Sequence, residues 1–204
     1  MWEIIAIAVV VLIAAVLVFA AVRPDALSVQ RTTSINAAPD KIFPFIEDFN
    51  RWRVWSPYEN KDPAMKRTVS GAGSGKGAVY EWDGNSQVGK GRIEITDASA
   101  PSRVTIKLDM LKPMEGHNIV NFTLEPRGGA TQVTWAMRGS CAYMHKVMGL
   151  FLDMDKMIGK DFEIGLANLK TQGDSPLAAP GSQPRGRGWT GHCVALTCIW
   201  AGCE

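Results

Sequence analysis

The chain has 204 residues, which is enough for one domain of ordinary size with short additions and too few for two large domains. Its 22 Lys and Arg residues against 20 Asp and Glu residues leave a net charge of +2, without a dense basic stretch. Because nucleic-acid binding needs concentrated positive charge, this balance argues against a nucleic-acid partner.

The first predicted element is a membrane-spanning helix over residues 4–22. These residues carry no polar side chain, and as a helix they would be about 28 Å long, close to the hydrocarbon thickness of a bilayer. A cleaved signal peptide is the alternative. The apolar run exceeds the usual signal-peptide core and no Lys or Arg precedes it, so we interpret residues 1–24 as a retained, single-pass anchor. Arg23 and Arg31 follow it, which predicts that the rest of the chain is cytoplasmic.

Residues 25–170 are predicted to form one α+β domain. After a first strand, a helix begins at Pro39, and Pro44 is expected to kink or shorten it. Alternating apolar residues then predict half-buried strands, most clearly over residues 103–110 and 131–139. Turns that contain Gly, Pro or Asn separate about six such strands, and their short spacing indicates antiparallel neighbours.

A glycine-rich loop, SGAGSGKG over residues 70–77, raises the question of nucleotide binding. A phosphate-binding loop needs a strand before it and a helix after it. The sequence that follows, AVYEWDG, is a strand pattern, and Ser70 and Gly77 do not fit the Walker positions. The dinucleotide fingerprint matches only over residues 73–78, without a βαβ context. We therefore predict a turn with positive φ between two strands, and no bound nucleotide.

A long amphipathic helix is predicted over residues 143–170, because apolar residues recur there every three or four positions. Its glycines at 149, 159 and 165 each cost roughly 1 kcal/mol relative to Ala. That cost is explained if the helix lies close against a sheet or has to flex. The order of elements predicts a curved antiparallel β-sheet that grips this C-terminal helix, with a core or a cavity between the two layers.

Residues 171–204 are predicted to be a disordered or atypical tail. Pro, Gly and Ser dominate its first half, and its last part holds His192, Cys193, Cys198 and Cys203. Imidazole and thiolate groups are zinc ligands, but the spacing lacks the usual cysteine pairs, so we predict no metal site. A change of reading frame in the gene would also account for this composition.

Several stretches of the domain are together similar to a known family. They are DFNRWRVWSPYENKDPAM at residues 48–65, SGAGSGKGAVYEWDGNSQVGKGRIEIT, VTWAMRG and MDKMIGKDFEIGLANLK. With these stretches, residues 25–170 resemble the polyketide cyclase/dehydrase-like group of the START-like, helix-grip (SRPBCC) superfamily, which includes members with one N-terminal membrane segment. The superfamily contains lipid carriers, hydrophobic-ligand binders, chaperone activators and a few aromatase/cyclases. The resemblance therefore implies a fold more closely than it implies a function.

The cavity that this resemblance implies has candidate lining residues on the inward strand faces and on the helix stripe. They are Trp82, Met110, Phe122, Trp135, Met137, Met148, Phe151 and Met154. Large aromatic and flexible Met side chains suit an adaptable apolar pocket, although the same pattern is also typical of a solid core. Trp52 and Trp55 are predicted to pack near the mouth of the cavity.

The sequence contains no evident catalytic constellation, and Cys141 has no evident base. The titratable side chains considered for catalysis are predicted at the surface or on outward strand faces: Arg92, Glu94, Asp109, His117 and His145. The favoured hypothesis is a membrane-tethered binding module, without a cofactor, for a lipid or other hydrophobic small molecule. The alternative is a polyketide cyclase/dehydratase-like enzyme that acts on an aromatic or polyketide substrate with a His or carboxylate as its proton-transfer group.

Overall fold

The structure is a computed structural model that describes residues 2–7, 11, 26–140 and 154–175. Residues 2–7 and residue 11 are helical. Within these described ranges, no helix has both the length and the apolar character needed to cross a membrane. Most of the predicted anchor at residues 4–22, and nearly all of the tail, lie outside the described residues.

A seven-stranded antiparallel sheet forms one layer of the domain. Its strands are β1 (Ala26–Ile35), β2 (Lys66–Gly71), β3 (Ala78–Asp83), β4 (Lys90–Ser99), β5 (Arg103–Lys112), β6 (Gly116–Arg127) and β7 (Ala130–Ser140). Their order in the sheet is β1-β7-β6-β5-β4-β3-β2. Strands β2 to β7 thus pair with their neighbours in sequence, whereas β1 pairs with the distant β7, where Val29 lies opposite Met137.

Helices form the second layer. Helix α1 (Pro39–Glu47), a 3₁₀ helix (Phe49–Val54) and α2 (Pro57–Lys61) follow β1, and α3 (Met154–Asp174) completes the domain. Helix α1 contains Pro44 and is short, as predicted. The predicted order of strand, short helices, six strands and C-terminal helix is confirmed. Helix α3 continues past the predicted end at residue 170, and residues 143–153 of the predicted helix lie outside the described residues.

Gly165 of α3 allows the helix to lie close against the sheet. A Cβ atom at Gly165 would lie 2.7 Å from Cζ3 of Trp135 and 3.0 Å from Cδ of Pro57. A Cβ atom at Gly159 would meet the guanidinium group of Arg31. A distance of 2.7 Å is too short for a real Cβ atom, so the predicted close contact with the sheet is confirmed at Gly165. At Gly159 the neighbour is the end of a long, flexible side chain from β1.

The glycine-rich loop joins β2 to β3 as the predicted turn. Gly71, Gly75 and Gly77 have φ angles of 75°, 66° and 89°, in the left-handed region that favours glycine. The backbone N–H of Ala72 donates to the carbonyl of Gly77 at 3.0 Å. Because a strand follows this loop, the loop does not place a helix N-terminus where it would hold a phosphate.

The hydrophobic core lies between the inner face of the sheet and the helices. Phe162, Leu166 and Leu169 of α3 are buried in it. Lys156 and Glu163 are exposed on the opposite side of the helix, as the periodicity predicted. The inner face of the sheet, with α3 lying on it, is therefore the place where the domain could hold an apolar molecule.

Candidate functional site

Six aromatic side chains pack together between the sheet and the helices, and we call them the aromatic cluster. They are Phe49, Trp52, Trp55, Phe122, Trp135 and Phe162, each at most 8% exposed. The rings of Trp135 and Phe162 are stacked, with centroids 4.0 Å apart and planes 9° apart. Trp55 meets Trp135 and Phe122 edge-on at 5.5 Å and 6.0 Å. At this level aromatic rings pack between the two layers.

The predicted lining residues of the sheet all lie on its inner face, at two different levels. Phe122, Trp135 and Met137 are buried on β6 and β7. Trp82 on β3 and Met110 on β5 are half-buried, and both pair in register with the same residue of β4, Gly91. The aromatic cluster thus covers one part of the inner face, and another part is only half covered.

The three predicted lining residues of the helix are not placed in the same way. Met154 is the first residue of α3. Met148 and Phe151 lie outside the described residues. The structure thus brings five of the eight candidates onto one sheet face.

Trp52 and Trp55 lie deeper than predicted. Both were expected near a cavity mouth, but Trp55 is 1% exposed and contacts the centre of the aromatic cluster. The indole N–H of Trp52 donates to the carbonyl of Ile46 at 3.0 Å, and that of Trp55 donates to the carbonyl of Phe45 at 2.8 Å. The 3₁₀ helix between α1 and α2 turns both rings into the core. Their predicted packing role is confirmed.

The indole N–H of Trp135 differs from those of the other three tryptophans in residues 26–140. Trp82 donates to the carbonyl of Val88 at 3.2 Å, in the same manner as Trp52 and Trp55. The Nε1 atom of Trp135 is buried and has no hydrogen-bond partner within the part of the chain that the structure describes. Buried donors are almost always paired in proteins, so this one requires an explanation.

A buried ion pair borders the aromatic cluster. Glu59 of α2 is 8% exposed and lies 2.7 Å from the guanidinium group of Arg67 on β2. The hydroxyl of Tyr80 on β3 donates to the second oxygen of Glu59 at 2.7 Å, and the ring of Tyr80 lies 5.9 Å from that of Phe49. The sequence patterns did not predict this cluster of Glu59, Arg67 and Tyr80, because its three residues lie on different elements that are separated by loops.

Burial raises the pKa of Tyr80 well above the usual value near 10, and the hydrogen bond to Glu59 raises that pKa further. A group whose pKa is raised by folding stabilises the fold below its unfolded pKa and loses this contribution at higher pH. We therefore expect the free energy of unfolding to fall above about pH 10. The unfolding free energy of the Tyr80→Phe variant should fall less than that of the wild type over the same range, as measured by urea unfolding between about pH 8 and pH 11. Equal slopes for the two proteins would contradict this expectation.

Arg31 connects the first strand to the last helix. Its Nε donates to Glu163 at 2.8 Å and its Nη2 to Asp155 at 3.1 Å. Hydrogen bonds to these two carboxylates raise the pKa of Arg31. Because Arg31 lies directly opposite Trp135 in the sheet, its charge is neutralised beside the aromatic cluster.

The titratable side chains considered for catalysis lie on the outer face of the sheet where the structure describes them. Arg92 pairs with Glu94 at 2.9 Å. Asp109 lies 3.0 Å from Nζ of Lys107 and 2.6 Å from Nδ1 of His117, whose side chain is 73% exposed. Their predicted outward position is confirmed, and it directs them away from the aromatic cluster.

The candidates for metal or thiol chemistry are only partly within the described chain. Residues 26–140 and 154–175 contain no group of three or more His, Cys, Asp or Glu side chains that could hold a metal ion. Cys141, His145 and the cysteines of the tail lie outside the described residues. The described site is therefore an apolar face bordered by the Glu59–Arg67 pair and by Arg31 with its two carboxylates.

One surface pocket lies away from the inner face of the sheet. It has a volume of about 350 Å³ and is lined by Asp40, Lys41, Pro44, Phe45, Arg51, Gln172 and Ser175. Lys41 donates from Nζ to the carbonyl of Gly173 at 2.6 Å, and so stabilises the C-terminal end of α3. The pocket is therefore a gap between α1 and the end of α3 on the outside of the helical layer.

Comparison with solved structures shows the same fold in distant proteins. Protein CV1439 from Chromobacterium violaceum has a TM-score of 0.54 at 12% identity, covering 76% of this chain and 100% of its own. The Aha1 dimer from Colwellia psychrerythraea has a TM-score of 0.53 at 15% identity, covering 72% and 96%. DynU16, a protein in the dynemicin biosynthetic locus, has a TM-score of 0.50 at 17% identity, covering 73% and 47%. At these identities the likeness shows the fold alone.

Comparison at the level of sequence identifies a family. No curated protein matches the chain. A family model described as polyketide cyclase / dehydrase and lipid transport matches residues 26–173, which include every described strand and nearly all of α3. The chain therefore belongs to the polyketide cyclase/dehydrase and lipid transport family.

Proposed function

We propose that this protein binds a hydrophobic small molecule, such as a lipid or a polyketide-like compound, between the inner face of its sheet and the helical layer. The observation that carries the proposal is the family membership over residues 26–173. The apolar inner face supports it, because large aromatic and Met side chains are typical of pockets for apolar ligands.

We propose that the ligand reaches from Trp135 on β7 to the half-covered part of the inner face. Leu108, Met110 and Trp82 are half-buried there, whereas Ile106 and Phe122 further along the same face are fully buried. An apolar molecule that covered these side chains would remove their remaining surface from water, at about 25 cal/mol per Å². Flexible Met side chains can adapt to its shape.

The proposal is tested on the full chain. Native mass spectrometry after gentle purification should show a bound apolar molecule, which is then extracted and identified. The Met110→Trp variant should lose this molecule, since the larger ring occupies the half-covered face. The Leu111→Trp variant is the matched control, because the adjacent Leu111 is 47% exposed, and it should retain the molecule. A wild-type chain without any ligand, or equal retention by both variants, would contradict the proposal.

Membrane tethering by residues 4–22 forms a further part of the proposal. The uninterrupted apolar sequence supports it, and Arg23 and Arg31 favour a cytoplasmic domain. A tether would place the ligand site next to a store of apolar molecules. If alkaline carbonate released the full chain from membranes, the tether would have to be abandoned.

A cyclase-like enzyme is the second candidate function. The family description favours it, and Tyr80 and Glu59 form a hydrogen-bonded pair of the kind that proton transfer requires, next to the aromatic cluster. Arg67 neutralises the carboxylate, however, and the proton of Tyr80 is already directed to it. If the protein turns over a polyketide substrate and Tyr80→Phe leaves the rate unchanged, this pair has no catalytic role.

A further inference from the structure

We infer that Trp135 donates a hydrogen bond from Nε1 to a neutral oxygen acceptor, such as a ketone or ester carbonyl, of the molecule that the domain binds. This inference rests on the proposed function and adds to it a chemical requirement on the ligand. It makes Trp135 a residue that selects among apolar molecules of similar size and shape.

The unpaired donor of Trp135 is the starting observation. Trp135 is 3% exposed and its Nε1 has no partner among the described residues, whereas Trp52, Trp55 and Trp82 each donate to a backbone carbonyl. An unpaired buried N–H group costs free energy that selection normally removes. A ligand with an acceptor would satisfy this group when it binds.

The contacts of the indole show the direction of its N–H edge. The Cζ3 edge of Trp135 faces Gly165 of α3 and Pro57, and one ring face is stacked on Phe162. In an indole, Nε1 lies on the edge opposite Cζ3, so the N–H points away from Gly165 and Pro57. Met137 is a neighbouring inward residue of the same strand, and its flexible side chain can shift to admit an acceptor.

The acceptor is neutral because the nearest cation of the adjacent strand is already paired. Arg31 lies opposite Trp135 in the sheet, and it is bound by Asp155 and Glu163. A ligand carboxylate at Trp135 would be buried without a free positive charge from Arg31, which is costly. A carbonyl oxygen needs only the one donor that Nε1 provides.

The test compares two probes, 2-acetylnaphthalene and 2-ethylnaphthalene, which differ only in that a carbonyl group of the first replaces a methylene group of the second. Each probe is added to the full chain labelled with ¹⁵N-tryptophan. The indole proton of Trp135, identified by its absence in Trp135→Phe, should move downfield with the ketone and hardly move with the hydrocarbon. The resonances of Trp52 and Trp55, which already donate to carbonyls, should not distinguish the two probes.

Calorimetric titration of variants gives the second readout. Trp135→Phe should weaken ketone binding by about three- to tenfold, the effect of one neutral hydrogen bond, and change hydrocarbon binding less than about twofold. Trp82→Phe is the control, and it should affect both probes equally.

The outcomes separate the inference from the proposed function. If both probes bind and Trp135→Phe weakens them equally, or if the Trp135 resonance responds to them alike, the inference is overturned and the binding function stands. If neither probe binds to the wild-type chain, both are overturned. If Trp135→Phe does not fold, the Trp135 indole resonance is assigned in the wild-type chain from its nuclear Overhauser contacts with Phe162, and its response to the two probes decides.

Discussion

The Glu59→Gln variant is expected to lose about 3 to 5 kcal/mol of unfolding free energy at neutral pH, the usual cost of breaking a buried ion pair. Glu59 and Arg67 are 2.7 Å apart with side chains 8% and 16% exposed. Removal of the carboxylate charge leaves the guanidinium group nearly buried without its counterion, and it weakens the acceptor of Tyr80. Urea unfolding followed by circular dichroism measures the change.

A surface ion pair of the same sheet provides the matched control for Glu59. Glu81 is half-exposed and lies 4.0 Å from Arg92, so Glu81→Gln should change the unfolding free energy by less than about 1 kcal/mol. A double variant, Glu59→Leu with Arg67→Met, should recover most of the loss, because no unpaired charge remains. If Glu59→Gln and Glu81→Gln changed the unfolding free energy by similar amounts, the Glu59–Arg67 pair would contribute no more to stability than a surface ion pair.

Truncation of Phe162 is the second change that we expect to lower the unfolding free energy strongly. Phe162 is 2% exposed and stacks on Trp135, so Phe162→Ala should destabilise the fold by about 3 to 5 kcal/mol through lost burial and a cavity. Loss of the stacking partner should also loosen α3 from the sheet and raise the rate of ligand release. Chemical unfolding and ligand dissociation measure the two effects.

The control for Phe162 lies two residues along the same helix. Ile164 is 42% exposed, and Ile164→Ala should change stability by roughly 0.5 kcal/mol or less. Equal losses at the two positions would mean that α3 does not depend on the aromatic cluster for its position on the sheet.

Much of the fold could be predicted because its elements carry regular patterns. Apolar residues at every second position predicted β5 and β7, and apolar residues at every third or fourth position predicted α3. Both patterns arise because one face of each element is buried and the other faces solvent. The glycine at 165 even indicated the close contact between helix and sheet. These features depend on neighbours along one element, and a sequence displays such neighbours directly.

The arrangement of the site was harder to predict because it depends on contacts between elements. The inward direction of Phe122 and Trp135 followed from strand alternation. The side chains that pack against Phe122 and Trp135 include Trp52 and Trp55. A 3₁₀ helix turns these two rings into the core, and they follow no periodic pattern. The pairing of Glu59 with Arg67 likewise results from a loop that brings α2 against β2.

The distant partner of β1 has a consequence for the protein during its synthesis. Residues 26–35 pair with residues 131–140, so about 100 residues must follow β1 before its partner exists. A ribosome that adds about 5 to 20 residues per second needs roughly 5 to 20 seconds for this distance. Throughout that time the backbone N–H and C=O groups of β1 have no strand partner and depend on water. The domain can therefore close only after β7 has been synthesised, because β7 lies between β6 and β1 in the sheet.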